Sequence, residues 1–263
     1  MEKISVFLAD WQVLFREGIH FTLCGEDDME VTGEATSGTE ALTAIEANPP
    51  RVAILNIDGE KLSGAEVTRH IRRNLPSVAV ILVTDTSDEE RLFTALKSGA
   101  GACVTKNIDP DDLVNIIRRV AKGESPITEL LYQKGIASRI QTEFEGISVL
   151  GEELSKLLAH LSPRESAILQ GIASGSTIAQ LTQTLGTTEE NVKATLGTIH
   201  TKLVANEHHR EVTLVAQEAI PLTISREALR ARLQAKPGQE YVTREEFEAF
   251  KESLRAIFKS LMV

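Results

Sequence analysis

Short apolar runs, each closing on a polar residue, alternate along the first half of the chain with stretches whose apolar residues fall three and four apart. The runs cover residues 4–9, 31–35, 52–56, 78–83 and 102–105, and four of them lead to Asp10, Asn56, Thr84 and Lys106. Near-continuous Val/Ile/Leu/Ala runs of this length predict strands buried on both faces. Between them, residues 13–23 have helical spacing. Ser37 with Glu40 forms a capping box for a helix to about residue 47, which Asn48-Pro49-Pro50 stops. A helix over 65–73 follows. Ser87 with Glu90 predicts a second capping box and a helix to about residue 98. Asp109-Pro110 predicts an N-cap and first-turn proline for a helix to about residue 122. Five strand–helix units in series imply an α/β, doubly wound, five-stranded parallel sheet, whose ligands sit beyond the carboxyl ends of its strands.

The pattern changes at Gly123. Residues 124–157 hold too many apolar positions for a solvated linker and read as a partly helical connector, interrupted near Gly135. Ser162-Pro163-Arg164-Glu165 is a capping box with proline at the first helical position, and Gly175 ends that helix. A short helix with Leu181 and Leu185 turns at Gly186. Thr188 caps the next helix, whose Val192, Leu196, Ile199 and Leu203 form an inward stripe. Residues 212–219 predict one last helix. A second, all-α domain over 158–220 follows, with a helix-turn-helix at its centre. In the extension, residues 221–263, Phe247, Phe250, Leu254, Ile257 and Leu261 alternate three and four apart, the seam of a coiled-coil-like oligomerisation helix.

Charge narrows the functions open to such a chain. The net charge is −10, and residues 161–220 carry four Lys/Arg against six Asp/Glu, so nucleic-acid binding must rest on local contacts rather than a basic domain. Cys24 and Cys103 are far apart in sequence and make neither a disulfide framework nor a zinc motif. The paired His208-His209 and His200 lack an acid cluster and read as exposed polar residues rather than metal ligands. No apolar run approaches bilayer length and no secretory h-region follows Met1, so the expectation is a cytoplasmic protein without membrane or cofactor.

Asp10, Asn56, Thr84 and Lys106 at successive strand ends resemble the receiver domain of bacterial response regulators, over residues 1–123. In that family two adjacent acids after the first strand and an Asp after the third hold magnesium. That last Asp accepts a phosphoryl group, and the Ser/Thr and Lys bind its oxygens. Here Asp10 keeps one acid, Trp11 replaces the second, and Asn56 stands at the acceptor position. Cys103 takes the place of an aromatic switch residue. An amide oxygen is a poor nucleophile, and magnesium relies on carboxylates to offset its dehydration. The pocket therefore reads as degenerate, with Lys106 facing a single carboxylate. Asp58 is the alternative acceptor, but the spacing to Gly64 fits Asn56. Trp11 is expected to fill the volume left by metal and water, with an apolar-ligand pocket as the alternative. Cys103 reads as a buried apolar residue.

The run from Leu161 through Val192-Lys193 to Lys202-Leu203 resembles the LuxR-type DNA-binding domain. The two modules in this order are similar to NarL/FixJ-class response regulators. The resemblance implies double-stranded promoter DNA as partner, read by Thr188, Asn191, Lys193, Ala194, Thr195, Thr198 and Lys202, with Asn191 and Thr195 placed for base edges. Gly197 in mid-helix, and few cations, point to low sequence-independent affinity. The chain as a whole reads as an atypical, non-enzymatic regulator, independent of phosphorylation and acting as a homodimer or higher oligomer. Control falls to a protein partner, a ligand or abundance. The alternative is a protein–protein adaptor that kept the fold and lost DNA binding.

Overall fold

The computed structural model describes residues 3–59, 61–149 and 158–219, with side chains described to 147 and from 158 to 210. The chain divides into two compact units, Met1–His208 and His209–Val263. The oligomerisation seam expected at Phe247, Phe250, Leu254, Ile257 and Leu261 lies outside the described residues.

Strands β1 (Ile4–Ala9), β2 (Met29–Ala35), β3 (Val52–Asn56), β4 (Ala79–Thr84) and β5 (Ala102–Thr105) form one parallel sheet in the order β2-β1-β3-β4-β5. Every residue of β3 is buried, as a central strand covered on both faces requires. Helices α1 (Val13–Cys24), α2 (Gly38–Ala47), α3 (Gly64–Asn74), α4 (Glu89–Ser98) and α5 (Pro110–Ala121) cover the two faces. One core holds Phe7, Leu55, Ile71, Leu82 and Leu96. The other holds Leu8, Leu23, Ile54, Ile81 and Ile117 on the opposite face.

The cap of α4 differs from expectation. Asp88, not Ser87, accepts from the Arg91 N–H, because Thr86 and Arg91 hold its carboxylate at that position. A capping box at Ser63 and Glu66, unmarked in the reading of the sequence, opens α3.

Beyond α5 a 3-10 segment, Pro126–Tyr132, leads to α6 (Lys134–Val149). The break falls at Gln133 rather than Gly135, and α6 runs through Gly135 and Gly146. Helices α7 (Pro163–Ala173) and α8 (Ile178–Leu185) precede α9, which runs without a stop from Glu189 to Ala219. The separate last helix expected at 212–219 is therefore part of α9. No glycine or proline occurs between Thr198 and Ala219, so nothing in the sequence terminates it.

Candidate functional site

The strand ends converge as the sequence pattern predicts. Asp10 and Asn56 are 5% and 6% exposed, and Thr84 is fully buried. The Asn56 amide nitrogen donates to Asp10 Oδ2 at 3.0 Å, and its Oδ1 accepts from the Asp58 N–H at 3.0 Å. Asp10 Oδ1 accepts from the Gln12 N–H at 2.7 Å. Lys106 closes the group, its Nζ 3.1 Å from Asp10 Oδ2. It also lies 3.3 Å from Asp85 Oδ1, so it faces two carboxylates rather than the single one expected. Asp85, in the loop beyond β4, carries no periodicity signal and was missed for that reason. The Thr84 hydroxyl donates to the Thr86 carbonyl at 2.9 Å, within the same loop.

Gly64 explains the spacing that singles out Asn56. A Cβ there would lie 2.0 Å from the Asn56 carbonyl oxygen, so only glycine lets α3 begin against the end of β3. Asp58 stands outside the cluster. Its carboxylate pairs with Arg91 at 3.2 Å and is 47% exposed.

This donor set does not fit a magnesium ion. Of the three acids that resemblance implies, Asp10 alone is present, and both its oxygens already accept from Gln12, Asn56 and Lys106. The amide N–H and the ammonium that face Asp10 are both donors and cannot ligate a cation.

Trp11 does not fill the pocket. It is 60% exposed, with Lys106 Nζ 5.5 Å from its ring centroid, because Asn56 and Lys106 have already satisfied Asp10 from the inner side. Beside it lies a cleft of about 950 Å³, lined by Asp10, Trp11, the β2–α2 turn and the β3–α3 loop. Cys103 is half-buried rather than buried as expected, because it packs only at the margin of the core, and burial pushes its thiol up to about 12.

In the second domain, α7, α8 and the start of α9 form the helix-turn-helix. Val192, Leu196, Ile199 and Leu203 are buried as one stripe. Gly186, with φ of +58°, caps α8, and Thr188 Oγ1 accepts from the Asn191 N–H at 3.2 Å to start α9. Thr188, Asn191, Lys193, Ala194 and Thr198 are exposed, and Thr195 is half-buried. The Thr195 and Thr198 hydroxyls donate back to the Asn191 and Ala194 carbonyls. Lys193 pairs with Glu189 at 2.8 Å. Lys202 turns inward, to Glu165 at 2.7 Å and the His160 carbonyl at 2.9 Å. Burial raises the Glu165 carboxyl, but the Lys202 and Ser162 hydrogen bonds outweigh it and hold the group below the usual range.

His200 is buried, not exposed as expected, and its Nε2 lies 3.0 Å from the Leu96 carbonyl at the end of α4. Burial lowers its pKa, partly offset by that hydrogen bond. Lys97 and Glu207 pair at 2.7 Å nearby. Ala194, Gly197, Thr198, Thr201 and Lys202 line a cleft of about 920 Å³ whose other wall is the amino-terminal edge of the sheet, with Arg51, Arg72 and Ser125.

Residues 6–118 match the model of the response regulator receiver domain, and residues 159–215 match that of bacterial regulatory proteins of the luxR family. The chain is a response regulator with a LuxR-type DNA-binding domain. It is similar to the nitrate/nitrite response regulator protein NarL of Escherichia coli, 26% identical over 223 residues that span 83% of this chain and 98% of NarL. The uncharacterized transcriptional regulatory protein YxjL of Bacillus subtilis is 27% identical over 219 residues, 83% of this chain and 98% of YxjL. Among solved structures, the receiver domain of the putative response regulator NarL from Mycobacterium tuberculosis is 31% identical. It covers 47% of this chain and all of its own, with a TM-score of 0.46. The response regulator is thus a DNA-binding transcription regulator of the LuxR/NarL kind. No helix among its described residues is long and apolar enough to cross a membrane.

Proposed function

We propose that this response regulator is switched without aspartyl phosphorylation and binds promoter DNA as a homodimer, in the cytoplasm and without enzymatic activity. The observation that carries the reading is the 3.0 Å hydrogen bond from the Asn56 amide to Asp10, closed by Lys106. The amide oxygen is a poor nucleophile toward phosphorus and already accepts from the Asp58 N–H, and the amide N–H supplies the compensation a cation supplies to a cluster of acids. The active arrangement at the strand ends is then reached by binding rather than by a covalent step.

DNA contact falls to the exposed face of α9, with Asn191 and Thr195 toward base edges and Thr188, Lys193 and Thr198 toward the backbone. Lys193 and Lys202 each already neutralise a glutamate, so few phosphates are paired and sequence-independent affinity is low. Part of this face lines the cleft against the sheet edge. A duplex that takes this helix into its major groove, about 12 Å wide, needs that cleft to open. The test is binding to selected sequences by untreated protein over a salt series. A specific complex with a shallow log–log salt slope is expected. The paired lysines also favour a second reading, an interaction adaptor that kept the fold, and absence of binding at low salt would select it.

A further inference from the structure

We propose that the cleft between α9 and the amino-terminal edge of the sheet binds a small non-aromatic molecule carrying two phosphate groups, and that this ligand holds α9 against the receiver and so opposes DNA binding. The second clause rests on the DNA-facing reading of α9 above; the site itself does not.

The charge of the cleft sets the class of ligand. Arg51, Arg72 and Lys202 line it against one carboxylate, Glu124. Lys202 is neutralised by Glu165, and Glu124 by Arg119, which also meets Glu129. With those partners counted in, four cations still stand against three carboxylates, although the chain as a whole is acidic. Neither Arg51 nor Arg72 has a carboxylate partner among the described residues. The Arg51 Nε and Nη2 groups both donate to the Ala121 carbonyl, which fixes the guanidinium by one edge and leaves the Nη1 edge for a ligand. The stem of Arg72, in the last turn of α3, lies against Gly99, where a Cβ would come within 3.1 Å of its Cγ. A guanidinium edge matches a phosphate bidentately, so two such forks suit two phosphates. No aromatic side chain is among the described residues that line the cleft, so nothing there stacks a nucleobase.

Gly197 is the independent observation. It sits on the cleft wall in mid-helix, where glycine weakens a helix relative to alanine. A Cβ there would meet nothing within 4 Å, so packing among the described residues does not require the glycine. Bare backbone at this point lets a ligand approach α9 closely while the arginines hold it from the receiver side. The volume of about 920 Å³ is within the range of small-molecule sites.

The experiment uses the full chain in magnesium-free buffer at fixed ionic strength, with fructose 1,6-bisphosphate and fructose 6-phosphate as probes. Calorimetry is expected to show saturable binding, about tenfold or more tighter for the bisphosphate. Arg72→Gln should remove most of that preference, and Arg51→Lys, which keeps the charge and loses the fork, should reduce it. Arg73→Gln makes the same charge change on α3 outside the cleft lining and should leave both curves unchanged. Gly197→Ala should weaken bisphosphate binding while raising Tm, a split that a merely structural glycine would not give. At saturation the bisphosphate should weaken the complex with a selected DNA sequence about fivefold or more, and Arg72→Gln should remove that effect. Absence of saturation, equal affinities for the two sugars, or an equal loss in Arg73→Gln and Arg72→Gln would overturn the site. A bound bisphosphate that leaves DNA affinity unchanged would overturn the second clause alone. Absence of any DNA complex would instead overturn the reading of α9, and the second clause with it, while the binding curves stand.

Discussion

At the scale of single residues, Asn56 determines what this receiver can do. Replacing it with an acid would set two carboxylates in the place of one hydrogen bond. Asn56→Asp is therefore expected to destabilise the fold at neutral pH by about 1–3 kcal/mol, with magnesium recovering part of the loss. Thermal melts with and without the cation measure both effects. Removing the ammonium is expected to cost more. Lys106→Met leaves Asp10 and its amide partner nearly dry without a cation, worth about 3 kcal/mol or more. Cys103, with its thiol pushed up to about 12, forms little thiolate, whereas Cys24 is exposed. Titration with a thiol reagent should give one fast and one slow group. Two fast groups would contradict the raised thiol of half-buried Cys103. Strand-end residues such as Asp10, Asn56, Thr84 and Lys106 were legible in the sequence because each punctuates an apolar run. Asp85 and the exposure of Trp11 were not, since loop geometry decides them and loops carry no period.

At the scale of elements, caps and stripes were legible and helix length was not. Ser37, Asp109 and Ser162 all cap as their spacing predicts, while Asp88 displaced Ser87 by forming its own ring of bonds to Thr86 and Arg91. The continuity of α9 depends on an absence of stop signals between two amphipathic patterns, which periodicity alone divides into two helices. Gly197 sits within this helix with open space where its Cβ would point. Gly197→Ala should therefore stabilise by about 0.5–1 kcal/mol, raising Tm by about 2–4 °C. His200 gives α9 a pH dependence. Its pKa is lowered in the folded state, so the unfolded chain binds the proton first. Stability should fall as pH drops from about 6.5 toward the lowered folded value. Histidine near Arg72 is doubly disfavoured when charged. Melts between pH 7.5 and 5 should show this loss in the natural chain and a smaller one in His200→Gln.

At the scale of the molecule, α9 is tied to the receiver. Lys97 with Glu207, and His200 with the Leu96 carbonyl, join α9 to the end of α4, and the wall opposite Ala194 and Thr198 of α9 is the sheet edge. Any ligand or partner that favours the separated arrangement raises DNA affinity by only as much as it prefers that state. Lys97→Gln breaks the same tie while removing a positive charge, and a two- to fivefold tighter DNA complex is expected against that electrostatic change, from a pair worth about 0.5–1 kcal/mol. Unchanged affinity would place the limiting contact elsewhere. The central claim, that the receiver does not take up a phosphoryl group, meets its most direct test in the intact mass of the full chain after incubation with acetyl phosphate and magnesium. The account predicts the unmodified mass. A gain of one phosphoryl group, whether at Asp58 or elsewhere in the receiver, would contradict it.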